Sequence, residues 1–332
     1  MNARVQYENA FSGCGGFPPP RIPIVMQFAA EFIGKNYGVF ASDHRMLVEA
    51  NLRCAEHFGF EQLSCISDPY RETSAFGAEI RFPDNQVPVC ARPPLRDVTE
   101  AEALRAPNPH DHVRTRDRID AVKLYRELIG DTYSVLGWVE GPAALSCDLL
   151  GMSDFLMDLM EDAEACEPLL RLCTDTSLAF ARAQIEAGAD TIGIGDAVCS
   201  QISGTLHREA VVVHQRRLVE GIRAAGGRVR LHICGQTAHL WDALATLHID
   251  ILDCDHMVDI SAAVKIFPEN VMLAGNHDPV SLLRFGSAEQ IHAQSRKCRE
   301  AAGSRWMINA GCEIPSGSPY KNLFALCNPE EN

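Results

Sequence analysis

The sequence predicts an α/β fold in which eight parallel strands and their helices close into a (β/α)8 TIM barrel. Short apolar runs alternate with amphipathic helical patterns along the chain, as expected when parallel strands are covered by helices. Eight such units in about 300 residues fit a closed barrel better than an open sheet. The predicted strands are Arg21–Phe28, Gln62–Ser67, Tyr133–Val139, Thr191–Gly195, Arg228–Ile233, Ile249–Asp253, Val271–Ala274 and Arg305–Asn309.

Helical patterns fill the intervals between these strands, and three of them are clear: Ala163–Ala187, His207–Ala224 and Ala238–Leu247. We expect a loose lead-in over residues 1–20 and a single barrel domain over residues 21–332, because no linker or internal repeat divides the chain. Two segments exceed the minimal barrel plan. A hairpin-like stretch within Pro69–Val98 and a polar stretch over Pro107–Arg118 are interpreted as insertions that shape a substrate mouth.

Composition excludes several classes of protein. Hydrophobic residues make up 46% of the chain and charged residues 22%, which is typical of a globular domain. No apolar run approaches the roughly 20 residues of a membrane helix, and no signal peptide is evident, so we expect a cytoplasmic protein without a membrane partner. The net charge of −14 disfavours nucleic acid and leaves small molecules, protein partners and a homo-oligomer open.

Polar residues follow almost every predicted strand, where barrel enzymes place their reactive side chains. Glu140 could bind substrate or a proton, or it could be satisfied by the backbone of the Gly141–Pro142 turn. The candidates for catalysis are Glu140, Asp196 and Asp255, and those for substrate binding are Ser203, Asn276 and Asp278.

The most specific chemistry is expected at His232, Cys234 and Cys312. His232 and Cys234 are two residues apart at the end of a predicted strand, so their side chains point to the same face. Two thiolates and one neutral imidazole suit zinc, and three protein ligands leave a fourth position open, as in catalytic sites. Spacing alone also permits two buried thiols and a core histidine. Of the 13 cysteines, we expect most to be buried thiols and a minority to be ligands.

Three segments resemble the uroporphyrinogen decarboxylase superfamily: His232-Ile-Cys-Gly-Gln-Thr237, Gly275-Asn-His-Asp-Pro279 and Asn309-Ala-Gly-Cys-Glu-Ile-Pro315. The segments Gly137-Trp-Val-Glu-Gly-Pro142 and Ala187-Gly-Ala-Asp190 add to the resemblance. Within the superfamily, the chain is most similar to the cobamide-dependent methyltransferase branch, which includes methylcobamide:coenzyme M methyltransferases. The resemblance runs from about Arg21 to the C-terminus and implies a barrel of the uroporphyrinogen decarboxylase type.

The resemblance implies that His232, Cys234 and Cys312 hold Zn²⁺, which activates a thiol to receive the methyl group of a methylcorrinoid. In the family, a carboxylate from the following strand can fill the fourth position on the metal. The matching residue here is Asp255, with Asp253 as the neighbouring candidate. Asp255 could instead be an acid that orients His232 without binding the metal.

The family name raises the alternative of uroporphyrinogen decarboxylation. Such decarboxylases resemble one another in an Arg-Gln-Ala-Gly-Arg segment near the first strand, whereas this chain reads Ile24-Val-Met-Gln-Phe-Ala-Ala-Glu31. The methyl-transfer reading is therefore preferred. The methyl donor or acceptor is expected to be a small thiol or a methoxylated or methylated compound. No Asp-x-His-x-x-Gly cobalamin signature is present, so we expect the corrinoid to come from a separate corrinoid protein or free from solution.

Overall fold

The computed structural model describes residues 2–12 and 17–329. The α-helices are α1 (Ala3–Asn9), α2 (Gln27–Phe32), α3 (Tyr37–Ser42), α4 (His44–Phe58), α5 (Arg71–Ser74), α6 (Val113–Ile129), α7 (Pro142–Leu150), α8 (Met152–Glu161), α9 (Glu167–Glu186), α10 (Gly204–Leu206), α11 (Val212–Ala224), α12 (Trp241–Leu244), α13 (Ile260–Ile266), α14 (Ala288–Ala302) and α15 (Tyr320–Cys327). The strands are β1 (Gln62–Ser64), β2 (Ile80–Arg81), β3 (Val89–Cys90), β4 (Ser134–Glu140), β5 (Thr191–Gly195), β6 (Arg228–His232), β7 (Ile251–Cys254), β8 (Met272–Gly275) and β9 (Trp306–Met307).

Seven of these strands form one curled parallel sheet in the order β1-β4-β5-β6-β7-β8-β9. Each of the seven falls within one residue of a predicted apolar run or inside it, because short apolar runs between helices suit a sheet buried on both faces. Helices follow the strands along the chain, so the carboxyl ends of all seven strands meet at the same edge of the sheet.

The predicted first strand, Arg21–Phe28, is not a regular strand. Arg21 makes a single parallel bridge to Ile308, its carbonyl accepts the backbone N–H of Glu61 at 3.0 Å, and from Gln27 the chain is already helix α2. Pro23 has no N–H to donate, so the ladder cannot continue through it. The expectation of eight regular strands is therefore corrected to seven strands plus a bridging segment.

The sheet buries a different set of side chains on each face. On the outer face, Val135, Val139 and Ile192 pack with the helices in the main hydrophobic core. On the inner face, Leu136 and Trp138 pack with other residues in a smaller cluster. The period-two alternation of a strand therefore turns Trp138 and Glu140 toward the inside of the curled sheet.

Helix α1 packs against the amino-terminal edge of the sheet, so the predicted loose lead-in is ordered over Ala3–Asn9. Residues 1 and 13–16 of that lead-in lie outside the described residues. Tyr7 is fully buried, and its hydroxyl lies 2.7 Å from the hydroxyl of Thr191. Arg4 donates to Asp190 at 2.7 Å. Apolar burial and these polar contacts hold α1 to the sheet.

The two predicted insertions are only partly as expected. Strands β2 and β3 pair antiparallel, which confirms the hairpin within Pro69–Val98. The polar stretch Pro107–Arg118 instead becomes regular from Val113, where α6 begins. No helix among the described residues is long and apolar enough to cross a membrane.

Candidate metal centre

The structure brings His232, Cys234 and Cys312 together, although 78 residues separate the two cysteines. Their ligand atoms all lie within 4.8 Å of one another. The Nε2 of His232 is 3.1 Å from the Sγ of Cys234 and 3.7 Å from the Sγ of Cys312, and the two sulfur atoms are 3.5 Å apart. The fold therefore brings together the three side chains that the sequence predicts to lie together.

A glycine lies next to each of the two cysteines, Gly235 after Cys234 and Gly311 before Cys312. Gly235, directly after Cys234, has a φ of +89°, which side chains other than glycine rarely adopt. Gly311 approaches the backbone of the next loop so closely that a Cβ there would lie 2.4 Å from the nitrogen of His256. Glycine is therefore required next to each cysteine if the two loops are to meet.

A series of buried ion pairs orients the ring of His232 through its Nδ1 atom. Its Nδ1 lies 2.8 Å from the Oδ2 of Asp253, and both oxygens of Asp253 accept from the Nε of Arg230 at 3.0 Å. Burial would raise the pKa of Asp253, but Arg230 and His232 overcome that effect and lower it. An ionised Asp253 fixes the imidazole proton on Nδ1 and leaves Nε2 free to bind a metal.

The three donors fit zinc. Tetrahedral zinc, at about 2.3 Å from sulfur and about 2.1 Å from nitrogen, holds its ligand atoms roughly 3.5–3.8 Å apart. The spacings of 3.1, 3.5 and 3.7 Å approach that range. The neighbouring Cys234 and His232 lower the pKa of the Cys312 thiol, which favours the thiolate form that binds zinc.

Asp255, the predicted fourth ligand, does not belong to this group of three. Its Oδ2 accepts the backbone N–H of Gly235 at 2.8 Å, and its Oδ1 accepts that of Met257 at 2.9 Å. Both oxygens are thus engaged by backbone donors. In the structure Asp255 fixes the loop that carries Cys234, and it does not orient His232, since Asp253 does so.

Glu140, a predicted catalytic residue, lies at the end of β4 and is 7% exposed. Its Oε1 accepts from Arg71 at 2.8 Å, and its backbone N–H donates to Glu72. Burial raises the pKa of Glu140 well above its ordinary value, against the opposing effect of Arg71. The alternative in which the Gly141–Pro142 turn satisfies this carboxyl is not what the structure shows.

Asp196 and Ser203 make local structural contacts. Asp196 is fully buried, and its carboxyl accepts the backbone N–H of Ala144 at 2.8 Å and the side-chain amide of Gln215 at 2.7 Å. Ser203 is exposed and caps helix α10 by accepting the N–H of Leu206. Neither side chain belongs to the cluster of three.

Asn276 and Asp278 likewise hold the loop after β8. The side-chain amide of Asn276 donates to the carbonyls of Asp255 and Val258 at 2.7 and 2.8 Å. Asp278 accepts the backbone N–H groups of Val280 and Ser281 at the start of a helical turn. Both side chains therefore make contacts that fix this loop.

Three residues near the cluster were not singled out from the sequence. The ring of Trp138 lies 5.8 Å from that of His232. Arg230 lies within a strand predicted from its apolar neighbours. Glu313 accepts the backbone N–H of Gln27, at the start of α2, at 3.0 Å. The position of Glu313 directly after Cys312 was a usable signal, and so was the Gly193-x-Gly195 pattern that makes room for Trp138.

Comparisons with known proteins identify a family and several relatives of this chain. The family model described as uroporphyrinogen decarboxylase (URO-D) matches residues 7–329. The methylcobamide:CoM methyltransferase MtbA of Methanosarcina mazei is 29% identical over 277 residues, which cover 82% of this chain and 80% of that protein. A uroporphyrinogen decarboxylase of Aromatoleum aromaticum is 27% identical over 289 residues, 84% of this chain and 80% of that protein.

A solved structure of a methyltransferase from Methanosarcina mazei superposes with a TM-score of 0.90 at 20% identity, covering 99% of this chain and 98% of that one. At that identity the likeness shows the fold alone. The resemblance to the superfamily and to its methylcobamide branch, read from the motifs around His232, Asn276 and Cys312, is confirmed. Because the family match spans nearly the whole chain, this chain belongs to the uroporphyrinogen decarboxylase family.

Proposed function

We propose that this protein is a zinc-dependent methyltransferase that moves a methyl group between a corrinoid and a small-molecule thiol. The observation that carries the proposal is the convergence of one imidazole and two thiols, all within 4.8 Å, at the carboxyl edge of the sheet. The similarity to the methylcobamide:CoM methyltransferase of Methanosarcina mazei supports the choice of reaction. A methoxylated or methylated substrate at the same centre remains the alternative within this reaction class.

His232, Cys234 and Cys312 would hold the zinc ion. Zinc bound there would lower the pKa of a substrate thiol, so that a thiolate is present at neutral pH. Cys234 and Cys312 supply negative charge that balances the metal, and Asp253 keeps the Nε2 of His232 unprotonated for binding. Since Asp255 is held by two backbone N–H groups, we propose that it fixes the Cys234 loop and that the fourth position is left to substrate.

We propose that Glu140 contacts the substrate, and that the other predicted site residues act on loop geometry. Asp196, Asn276 and Asp278 each accept or donate hydrogen bonds to backbone or buried groups, and Ser203 caps a helix turn. These contacts leave them as positioning residues for the strand-end loops.

Two further parts of the proposal concern how the barrel closes and where the corrinoid comes from. We propose that the Pro20–Ile22 segment takes the place of the eighth strand, because it hydrogen bonds to Ile308 on one side and to Glu61 on the other. The corrinoid would be supplied by a separate corrinoid protein or from solution, at the edge of the sheet where the metal ligands lie.

Metal analysis tests the centre directly. We expect about one zinc ion per chain in the wild type and its loss in Cys312→Ala, since two protein ligands hold zinc far less tightly than three. Cys54→Ala is the matched control, because Cys54 is buried in the hydrophobic core on α4 and adjoins none of the site residues in sequence. Equal zinc in wild type and Cys312→Ala would contradict the proposal.

A methyl-transfer assay tests the reaction. Methylcobalamin would be offered with a panel of small thiols, and cob(I)alamin with a panel of methoxylated compounds, while the corrin spectrum is followed. We expect demethylation of methylcobalamin with at least one thiol, and none with Cys312→Ala. Zinc-independent decarboxylation of uroporphyrinogen, without methyl transfer in either panel, would favour the decarboxylase alternative.

A further inference from the structure

The three candidate zinc ligands all come from one part of the sheet. His232 ends β6, Cys234 follows it, and Cys312 lies in the loop after β9. In the order of the sheet β7 and β8 lie between these two strands, so β1, β4 and β5 form the other part of the wall. Three donors that approach a tetrahedral ion from one side leave its open position toward the other side. A substrate at that position would therefore face the carboxyl ends of β1, β4 and β5.

Trp138 fills the space next to His232 on this side. It lies on the inner face of β4, and its ring centroid is 5.8 Å from that of His232. The indole lies directly over β5, because a Cβ on Gly193 would be 2.2 Å from its Cε3 atom and a Cβ on Gly195 would be 3.0 Å from its Nε1 atom. Only 3% of Trp138 is exposed. The indole therefore occupies the space beside the candidate ligand instead of lining an open cleft.

The two glycines of β5 indicate that the position of this ring matters. Glycine weakens the interior of a strand, since it adds conformational entropy to the unfolded chain and packs no side chain. At Gly193 and Gly195 any larger residue would push the indole away from the strand. The sequence of β5 thus keeps the ring of Trp138 against that of His232.

The surroundings of the indole are apolar. Trp138 belongs to a small buried cluster inside the sheet, and its other members are Ile24, Ile66 and Leu136, with Met26 packed against them. Without the indole, these side chains would border an empty space next to the metal centre. An apolar cavity of about 150 Å³ accepts a benzene ring, and the space left by an indole is of that order.

We propose that Trp138 determines the size of the small-molecule substrate, because its indole closes the space beside the metal centre to all but short, unbranched thiols. This inference rests on the proposed function, since it concerns the thiol that zinc would activate. Packing of the barrel interior alone would also bury the ring. The two roles differ in one respect, because the loss of a packing residue only lowers stability, whereas the loss of a size limit also admits larger ligands.

Two uncharged thiols of different size test the inference on the zinc-loaded wild-type protein. Ethanethiol is short, whereas phenylmethanethiol carries a benzene ring on a single carbon, and isothermal titration calorimetry would measure both dissociation constants. We expect phenylmethanethiol to bind at least about tenfold more weakly than ethanethiol, although its larger apolar surface would favour binding to any open apolar site.

Trp138→Ala should reverse this preference. We expect the variant to bind phenylmethanethiol at least about tenfold more tightly than the wild type does, because the benzene ring is buried in the space that the indole leaves. The affinity for ethanethiol should change by no more than about threefold, since this thiol is too short to fill that space. Free indole should compete with phenylmethanethiol for the variant, because it fits the same space.

The backbone at Trp138 is held independently of its ring, because Gln184 accepts its N–H and donates to its carbonyl, both at 3.0 Å. Phe58→Ala is the matched control, since it removes a buried ring from α4 in the main hydrophobic core, and it should keep the wild-type preference. If Trp138→Ala does not fold, Trp138→Phe decides the question. The smaller ring of that variant should narrow the preference for ethanethiol.

The outcomes separate this inference from the proposed function. Equal binding of the two thiols by the wild type, or tighter binding of phenylmethanethiol, would overturn the size limit while leaving thiol binding at zinc intact. Continued exclusion of phenylmethanethiol by a folded Trp138→Ala, or the same gain of binding in Phe58→Ala, would overturn the assignment to Trp138. Failure of ethanethiol to bind the zinc-loaded wild type would count against thiol activation itself, and the inference would fall with it.

Discussion

At the level of single residues, Asp253 connects the metal centre to the interior of the sheet. It receives the Nδ1 of His232 on one side and the guanidinium of Arg230 on the other, and Asn309 donates to it at 3.2 Å. The side chain of Asp253 is 1% exposed, so these contacts are made in a medium of low dielectric, where each is strong. The orientation of His232 is therefore set by an acid that lies outside the group of three candidate ligands.

Asp253→Asn is expected to weaken zinc binding by about 10–100-fold, because the imidazole loses the carboxylate that fixes its tautomer. Zinc affinity would be measured by competition with a chelator under native conditions. Asp250→Asn is the control, since Asp250 is also ion-paired, to Arg223, but at the opposite end of the same strand region. Unchanged zinc affinity in Asp253→Asn would refute this role.

His277 is expected to make the protein acid-sensitive. It is fully buried, 2.9 Å from the hydroxyl of Ser295, and burial lowers its pKa to about 4 from an ordinary 6.5. The folded state thus holds a neutral ring while the unfolded state takes up a proton. The free energy of unfolding is therefore unaffected by the titration of this histidine above pH 6.5. It falls by up to about 3 kcal/mol as the pH decreases toward 4.

Urea unfolding at pH 7.0 and pH 4.5 measures that dependence. The free energy of unfolding of His277→Gln should fall less between the two pH values than that of the wild type, although the variant is less stable at pH 7.0. His248→Gln changes an exposed ring and should retain the wild-type dependence. An identical loss of stability in His277→Gln and wild type would show that another group is responsible.

At the level of elements, α1 closes the amino-terminal edge of the sheet, opposite the metal centre. Tyr7 packs with Ile22, Ile251 and Met307 inside the sheet. Its hydroxyl lies 2.7 Å from that of Thr191, and burial raises the pKa of Tyr7 to about 12. A helix of seven residues is too short to be stable alone, so it depends on this packing.

Tyr7→Ala should lower the free energy of unfolding by about 3–5 kcal/mol, because a large buried side chain leaves a cavity. Tyr7→Phe keeps the ring and should lower it by only about 1 kcal/mol, the contribution of one hydrogen bond. Chemical denaturation measures both. Zinc affinity should be unchanged in either variant, and a loss of zinc in Tyr7→Phe would show that the two edges of the sheet are coupled.

For the whole molecule, burial separates a few accessible thiols, among them the two proposed zinc ligands, from the thiols that pack in the core. Among the cysteines of the described residues, Cys90, Cys234 and Cys312 are partly exposed and the others are buried. Burial raises the pKa of most of the remaining thiols, for example that of Cys54 to about 12, so they are inert as well as inaccessible.

Thiol labelling of the native protein, mapped by mass spectrometry, should follow this division. After removal of zinc, the reagent should modify Cys90, Cys234 and Cys312 among the described residues. Added zinc should protect Cys234 and Cys312 and leave Cys90 reactive, because only the first two are ligands in the proposed centre. Labelling of Cys234 and Cys312 that is indifferent to zinc would contradict the assignment.

Much of the fold and of the centre could be predicted from the sequence. The mainly apolar runs located the seven strands, since strands that are buried on both faces are rich in apolar residues. The spacing of His232 and Cys234 placed them on one face, and the motif around Cys312 supplied the third member of the group that the structure brings together. The first strand was misjudged because Pro23 interrupts a ladder that its apolar neighbours would otherwise support.

The sequence by itself determined which residues end each strand and which face of the strand they share. It did not determine which of them meet, because that depends on the register between neighbouring strands. Asp253 lies in β7, where the register sets it opposite His232, whereas Asp255 follows the end of that strand and accepts the backbone N–H of Gly235. In the same way, only the pairing of β4 with β5 and of β5 with β6 placed Gly195 between Glu140 and His232. Side-chain alternation is a local property of the backbone, whereas lateral contact is decided by how the whole sheet closes.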